Sequence, residues 1–131
     1  LILMAIQIVR LGTPRHADEG VRVGTVRRPP RGVPKEEHAS RDYYDTWLPE
    51  LAPTPELMKQ GKAVDSDSDW EAFAKKYRAE MSTPEKGRLL DLMAALSHGT
   101  QLSVGCYCES ESRCHRSLLR ELLEERGASL G

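Results

Sequence analysis

Apolar and polar positions alternate over two early stretches, Ala5–Leu11 and Val21–Arg28, and each predicts a β-strand. A polar turn from Gly12 to Gly20 separates them and contains Pro14 and Asp18. A third β-rich apolar run, Thr100–Tyr107, lies near the end of the chain. Between these strands the period changes to that of a helix. Thr54-Pro55-Glu56 combines a capping hydroxyl, a first-turn proline and an early carboxylate, announcing a helix that Gly61 keeps brief. Trp70, Phe73, Ala74, Tyr77 and Met81 fall on one face of a second helix, behind the capping stretch Asp65 to Asp69. Ser82-Thr83-Pro84-Glu85 restarts the pattern, and Leu89, Leu92, Met93 and Leu96 are its expected buried stripe, closed by Gly99. A last helix begins near Arg113, buries Leu118, Leu119, Leu122 and Leu123, and stops at Gly127.

Two segments break the periodicity. Arg27 to Lys35 contains three prolines, which remove backbone donors and force their predecessors to extended geometry, so it reads as a stiff basic loop. Asp42 to Leu51 mixes aromatic and apolar residues around Pro49 and predicts a short irregular helical turn, with Trp47, Leu48 and Leu51 as core anchors. Strands alternating with helices imply an α/β fold: a single domain over residues 1–131, with a small, mostly parallel sheet and helices packed on it. Met4 reads as the natural start, with Leu1 to Leu3 either an artificial addition or an upstream extension of the frame.

Composition narrows the class without naming a function. The 131 residues are 39% hydrophobic and 30% charged with a net charge of -1, which suits a soluble globular protein rather than a disordered chain or a strongly basic nucleic-acid binder. The apolar first strand carries Gln7 and Arg10 and is too short to span a bilayer, so no membrane is expected. Three cysteines, all between Cys106 and Cys114, fit reduced thiols in the cytoplasm better than a secreted disulfide framework.

Chemistry concentrates where the third strand runs through Glu109–Ser112 into the last helix. Strand alternation sends Cys106 into the core and lets Cys108 emerge at the strand end. Cys114, His115 and Arg116 fall in the first helical turn, where free backbone N–H groups favour an anion and an arginine adds a planar fork for phosphate or carboxylate. Cys114 beside His115 is a candidate nucleophile or redox-sensitive thiol, with His115 its catalytic partner; a plain core thiol is the competing reading. A thiolate phosphatase loop is excluded, because Cys114 and Ser112 stand where that loop needs its arginine. Zinc ligands of the right type are present in Cys106, Cys108, Cys114 and His115, but the spacing is unusual and adjacent Cys114 and His115 rarely reach one ion, so neither a metal nor another cofactor is expected.

The proline loop adds Arg28, Arg31 and Lys35 as ligand-binding candidates beside Cys108 and Arg116, forming a second wall if loop and strand end converge; a solvated surface loop is the alternative. Tyr43 and Tyr44 are also placed to touch a ligand. The expected partner is an anionic small molecule, a nucleotide or a nucleic-acid end. A non-catalytic regulatory module and a thiol redox or metal protein using Cys108 and Cys114 stay open, as does the oligomeric state.

Arg28-Pro29-Pro30-Arg31-Gly32-Val33-Pro34-Lys35, then Trp47-Leu48-Pro49-Glu50-Leu51-Ala52-Pro53-Thr54-Pro55-Glu56-Leu57, Trp70-Glu71-Ala72-Phe73 and Tyr77-Arg78-Ala79-Glu80 stand in an order that resembles a known family. It is the YeaO-like branch of the domain-of-unknown-function 488 family, with Pro29 where the usual pattern has a tryptophan. The Cys108…Cys114-His115-Arg116 ending resembles other members of that family. The resemblance implies an α/β fold and points to Arg28, Arg31, Lys35, His115 and Arg116, but supplies no substrate.

Overall fold

A computed structural model describes residues 4–131, so Leu1 to Leu3, read as an extension, lie outside the described residues. Strands β1 (Ile6–Arg10), β2 (Val21–Gly24), β3 (Thr46–Trp47) and β4 (Leu102–Cys106) form one sheet in the order β1-β4-β2-β3. Every pairing is parallel, and β4 sits in the middle with Val104 opposite both Ile8 and Val23. The fold is therefore α/β in a single domain, as the alternating pattern predicts. All five residues of β4 are buried, as expected of a strand flanked on both edges.

Helices α1 (Pro55–Lys62), α2 (Asp67–Glu80) and α3 (Pro84–Leu96) fill the crossover between β3 and β4, and α4 (His115–Glu125) follows β4. Their starts follow the expected chemistry: Thr54, Ser66 and Thr83 each accept a backbone N–H three residues on. Helix α4 packs on β4, and α2 and α3 pack on α4. Leu118, Leu119, Leu122 and Leu123 meet Ile6, Val104, Tyr77 and Leu90 in the main core. Gly127, with φ of 79°, ends α4 in the left-handed conformation that glycine adopts without strain. The tail then returns to β1, where the Ile6 N–H donates to Ser129 and the Gly131 N–H donates to Ile6, both at 2.9 Å. Among the described residues no helix is long and apolar enough to cross a membrane.

Four local expectations need correction. Asp42–Leu51 is not one helical turn: Thr46–Trp47 adds an edge strand to β2, and only Pro49–Leu51 turns, as a 3₁₀ segment. Trp47 is no core anchor, because an edge strand has a neighbour on one side only; it is 42% exposed, and its indole N–H donates to the Val26 carbonyl at 2.7 Å. The stripe of α3 is narrower than predicted. Leu90, Met93 and Ala94 are buried while Leu92 and Leu96 face solvent, since α3 contacts mainly α4. Finally, Gly61 does not stop α1. It lies inside the helix where a side chain would meet the Phe73 ring at 2.8 Å, so its bareness lets α2 approach and α1 runs on to Lys62.

The loops beneath the sheet edge are tied by a network that the hydrophobic pattern does not reveal. Arg22 and Glu19 are both buried and paired at 2.6 Å. The Arg22 guanidinium also donates to the Asp42 and Pro14 carbonyls, and Glu19 accepts the His16 N–H.

Candidate functional site

Beyond the carboxyl end of β4 a second, smaller cluster forms from Leu11, Val26, Tyr44, Cys106 and Cys114, with Tyr43 and Tyr107 against it. Open α/β sheets leave crevices at this end, and here a cavity of about 330 Å³ occupies the place. Cys106, Cys108 and His115 form one side of its lining, Arg27 and Arg28 another, and Met58, Lys59 and Lys62 of α1 a third. No acidic side chain lines it among the described residues. Arg27 is committed to the Pro53 and Ala52 carbonyls, at 3.0 and 3.1 Å, and so ties the basic loop to the entrance of α1. Arg28, Lys59 and Lys62 have no acidic partner among the described residues and remain exposed.

All three cysteines are free, and they meet at this point. The Cys106 and Cys114 sulfurs are 2.8 Å apart and buried, while Cys108 is exposed. The neighbouring Cys106 and Cys114 thiols and the positive charge of Arg116 hold Cys108 well below the usual thiol range despite its partial burial. Cys106 moves the other way, because its thiol is engaged with Cys108 and Cys114 and is buried. For Cys114 the contact with Cys106 pulls downward, but the neighbouring Cys108 and burial outweigh it and raise the thiol.

His115 opens α4 and is buried. Burial pushes its pKa down to about 4, against the pull of the Thr25 carbonyl, so the ring is neutral at pH 7. Its Nε2 lies 2.8 Å from that carbonyl. A carbonyl only accepts, so Nε2 carries the hydrogen and Nδ1 keeps a bare lone pair 3.7 Å from the Cys114 sulfur. The Tyr77 ring, 5.7 Å from the imidazole between centroids, backs it on the core side.

The residues singled out from the sequence do not all converge. Arg28, Cys108 and His115 line the cavity, and Cys114 lies directly behind it. Arg116 is buried: its Nη2 donates to the Cys108 carbonyl at 2.7 Å, holding the strand-end loop, and its Nε has no partner. Arg31 belongs to a neighbouring hollow with Arg10 and Tyr43, and Lys35 to another with His38 and Trp47. Tyr44 is buried edge-on against His38. Cys106, assigned by alternation to the core alone, is buried as expected and also shares the thiol cluster. Sequence reasoning missed Lys59 and Lys62. Their spacing of one helical turn was the available signal, but the side of α1 that meets the strand end is a tertiary fact.

A family model matches residues 6–127. The chain belongs to the DUF488 family. The matching model is described as DUF488-N3a, an active DUF488-N3 subclade. In this DUF488 domain the match takes in all four strands and the whole segment from Cys106 to Arg116. No match was found among curated proteins or among solved structures.

Proposed function

We propose that this DUF488 domain binds a phosphorylated or otherwise anionic molecule, a nucleotide or a nucleic-acid end, in the cavity above Cys108. The observation that carries this reading is the lining itself: four basic side chains, Arg27, Arg28, Lys59 and Lys62, and no acidic one among the described residues. Three of these are exposed and unpaired, so a phosphate would gain their charge without breaking an ion pair. Val26, Pro55, Met58 and Tyr107 supply apolar surface for the body of such a ligand. The start of α4 lies behind the floor, where its backbone dipole favours negative charge.

The description of the subclade as active favours a chemical step on this ligand over a purely regulatory module. Three free cysteines suit a reducing, cytoplasmic setting. A YeaO-like place within the family rests on the motif residues between Arg28 and Glu80.

Calorimetric titration with inorganic phosphate, nucleoside mono- and diphosphates and a short 5′-phosphorylated oligonucleotide tests the reading. At least one of them is expected to bind, more weakly as salt rises, and to lose roughly tenfold or more in affinity in the Lys59→Ala/Lys62→Ala double variant, which removes two charge-assisted contacts. Absence of binding to any of these probes, or affinity unchanged in the double variant, overturns it.

A further inference from the structure

We propose that Cys106, Cys114 and His115 form a zinc site whose open fourth position faces the cavity. The Sγ atoms of the two cysteines and a ring nitrogen of His115 all lie within 4.8 Å of one another, and all three residues are buried. Zinc binds sulfur at about 2.3 Å and imidazole nitrogen at about 2.0 Å, so a tetrahedral ion places its ligand atoms roughly 3.3–3.8 Å apart, inside that spread. The Cys106 and Cys114 sulfurs, now 2.8 Å apart, would separate by about 1 Å to admit it.

The histidine is oriented as metal-bound imidazoles are. A backbone carbonyl holds one ring nitrogen as a donor, at 2.8 Å from Thr25, and this leaves Nδ1 bare on the side of the Cys114 sulfur. The Thr25 hydroxyl is itself held, donating to the Gly105 carbonyl at 3.0 Å, so the supporting shell is anchored to the central strand. Adjacency of Cys114 and His115, which made a shared ion improbable on spacing alone, is resolved by the helix start. Cys114 is the N-cap, with extended backbone at φ of -121°, and His115 is the first helical residue, so the change of backbone conformation turns both side chains to the same point.

Two sulfurs and one nitrogen suit zinc better than magnesium or calcium, which prefer oxygen ligands. Coordination displaces the Cys106 and Cys114 thiol protons to solvent, and neutral His115 loses none. Cys108 stands outside the group of three, although it lines the same cavity. A site with three protein ligands and one open position has the form of catalytic rather than structural zinc. The inference stands apart from anion binding, because its ligands are not the basic residues of the cavity wall.

Elemental analysis of the full chain, purified under reducing conditions from zinc-supplemented cells, tests it together with the absorption spectrum after replacement by Co²⁺. About one zinc per chain is expected, with a thiolate-to-cobalt charge-transfer band. The Cys108→Ser variant keeps both. Cys106→Ser, Cys114→Ser and His115→Ala each lose at least tenfold in zinc affinity; the two serine variants preserve side-chain size, so their circular dichroism should remain that of the wild type. A metal-free protein with no charge-transfer band, a Cys106–Cys114 disulfide in the reduced preparation, or undiminished zinc affinity in folded Cys114→Ser overturns the site. Phosphate titration of the Lys59→Ala/Lys62→Ala variant is read separately, so either idea can fail alone.

Discussion

Arg22 and Arg116 are both buried, at 0% and 4% exposure, yet their surroundings differ in kind. Arg22 is matched in charge by Glu19, and its remaining donors reach the Asp42 and Pro14 carbonyls. Among the described residues Arg116 has no carboxylate partner; it donates once, to the Cys108 carbonyl, and its buried Nε donates to nothing. A buried guanidinium without a counter-charge is costly, and it persists here beside three thiols and the lining of a cavity. The first arginine belongs to the frame of the molecule. The second lends positive potential to the place where chemistry is concentrated, and this is where sequences depart from the rules of stability.

The contrast can be broken by substitution. Arg22→Met leaves the Glu19 carboxylate buried and uncompensated, so urea denaturation at pH 7 should show a loss of about 3–5 kcal/mol. Arg116→Met removes one donor from the Cys108 carbonyl and should cost less, about 1–3 kcal/mol. Equal losses would mean that Arg116 is as structural as Arg22.

Acid sharpens the same comparison. The Glu19 carboxyl resists burial, but Arg22 and the His16 N–H overcome that and hold it below its ordinary value of 4.5. A depressed carboxylate contributes its full stability above about pH 4.5, and the contribution is lost as pH falls through the lower folded value. Urea midpoints measured from pH 6 to pH 3 should therefore fall more steeply in the wild type than in Glu19→Gln, which begins less stable. Parallel curves would show that the pair is not what acid breaks. The smallest expected effect on stability comes from the cavity wall. Lys59→Ala with Lys62→Ala should stay within about 0.5 kcal/mol of the wild type in the same assay, because both lysines are exposed and neither has an acidic partner among the described residues.

Much of this arrangement was legible in the chain. Thr54, Ser66 and Thr83 announce three helix starts by local hydrogen bonding, which needs no tertiary context. The Leu118–Leu123 stripe was readable because α4 packs with one broad face inward. Trp47 and Leu92 misled because an apolar residue reports what it can bury, not whether a neighbour arrives to bury it. Arg22 was invisible for the complementary reason: a charged side chain inside a strand pattern reads as solvent-facing until its partner is known.

Local physics therefore determined three of the four strands, the capped helices, the α/β class and the concentration of chemistry between Cys106 and Arg116. Those features depend on contacts a few residues long. Tertiary structure alone decided that β4 lies centrally, that α1 brings Lys59 and Lys62 to the strand end, and that Arg31 and Lys35 go elsewhere. It also decided that Cys106, Cys114 and His115 aim at one point, with Thr25 fixing the ring. Each of these depends on pairing between segments distant along the chain, set by the total apolar surface the fold can bury rather than by any local pattern.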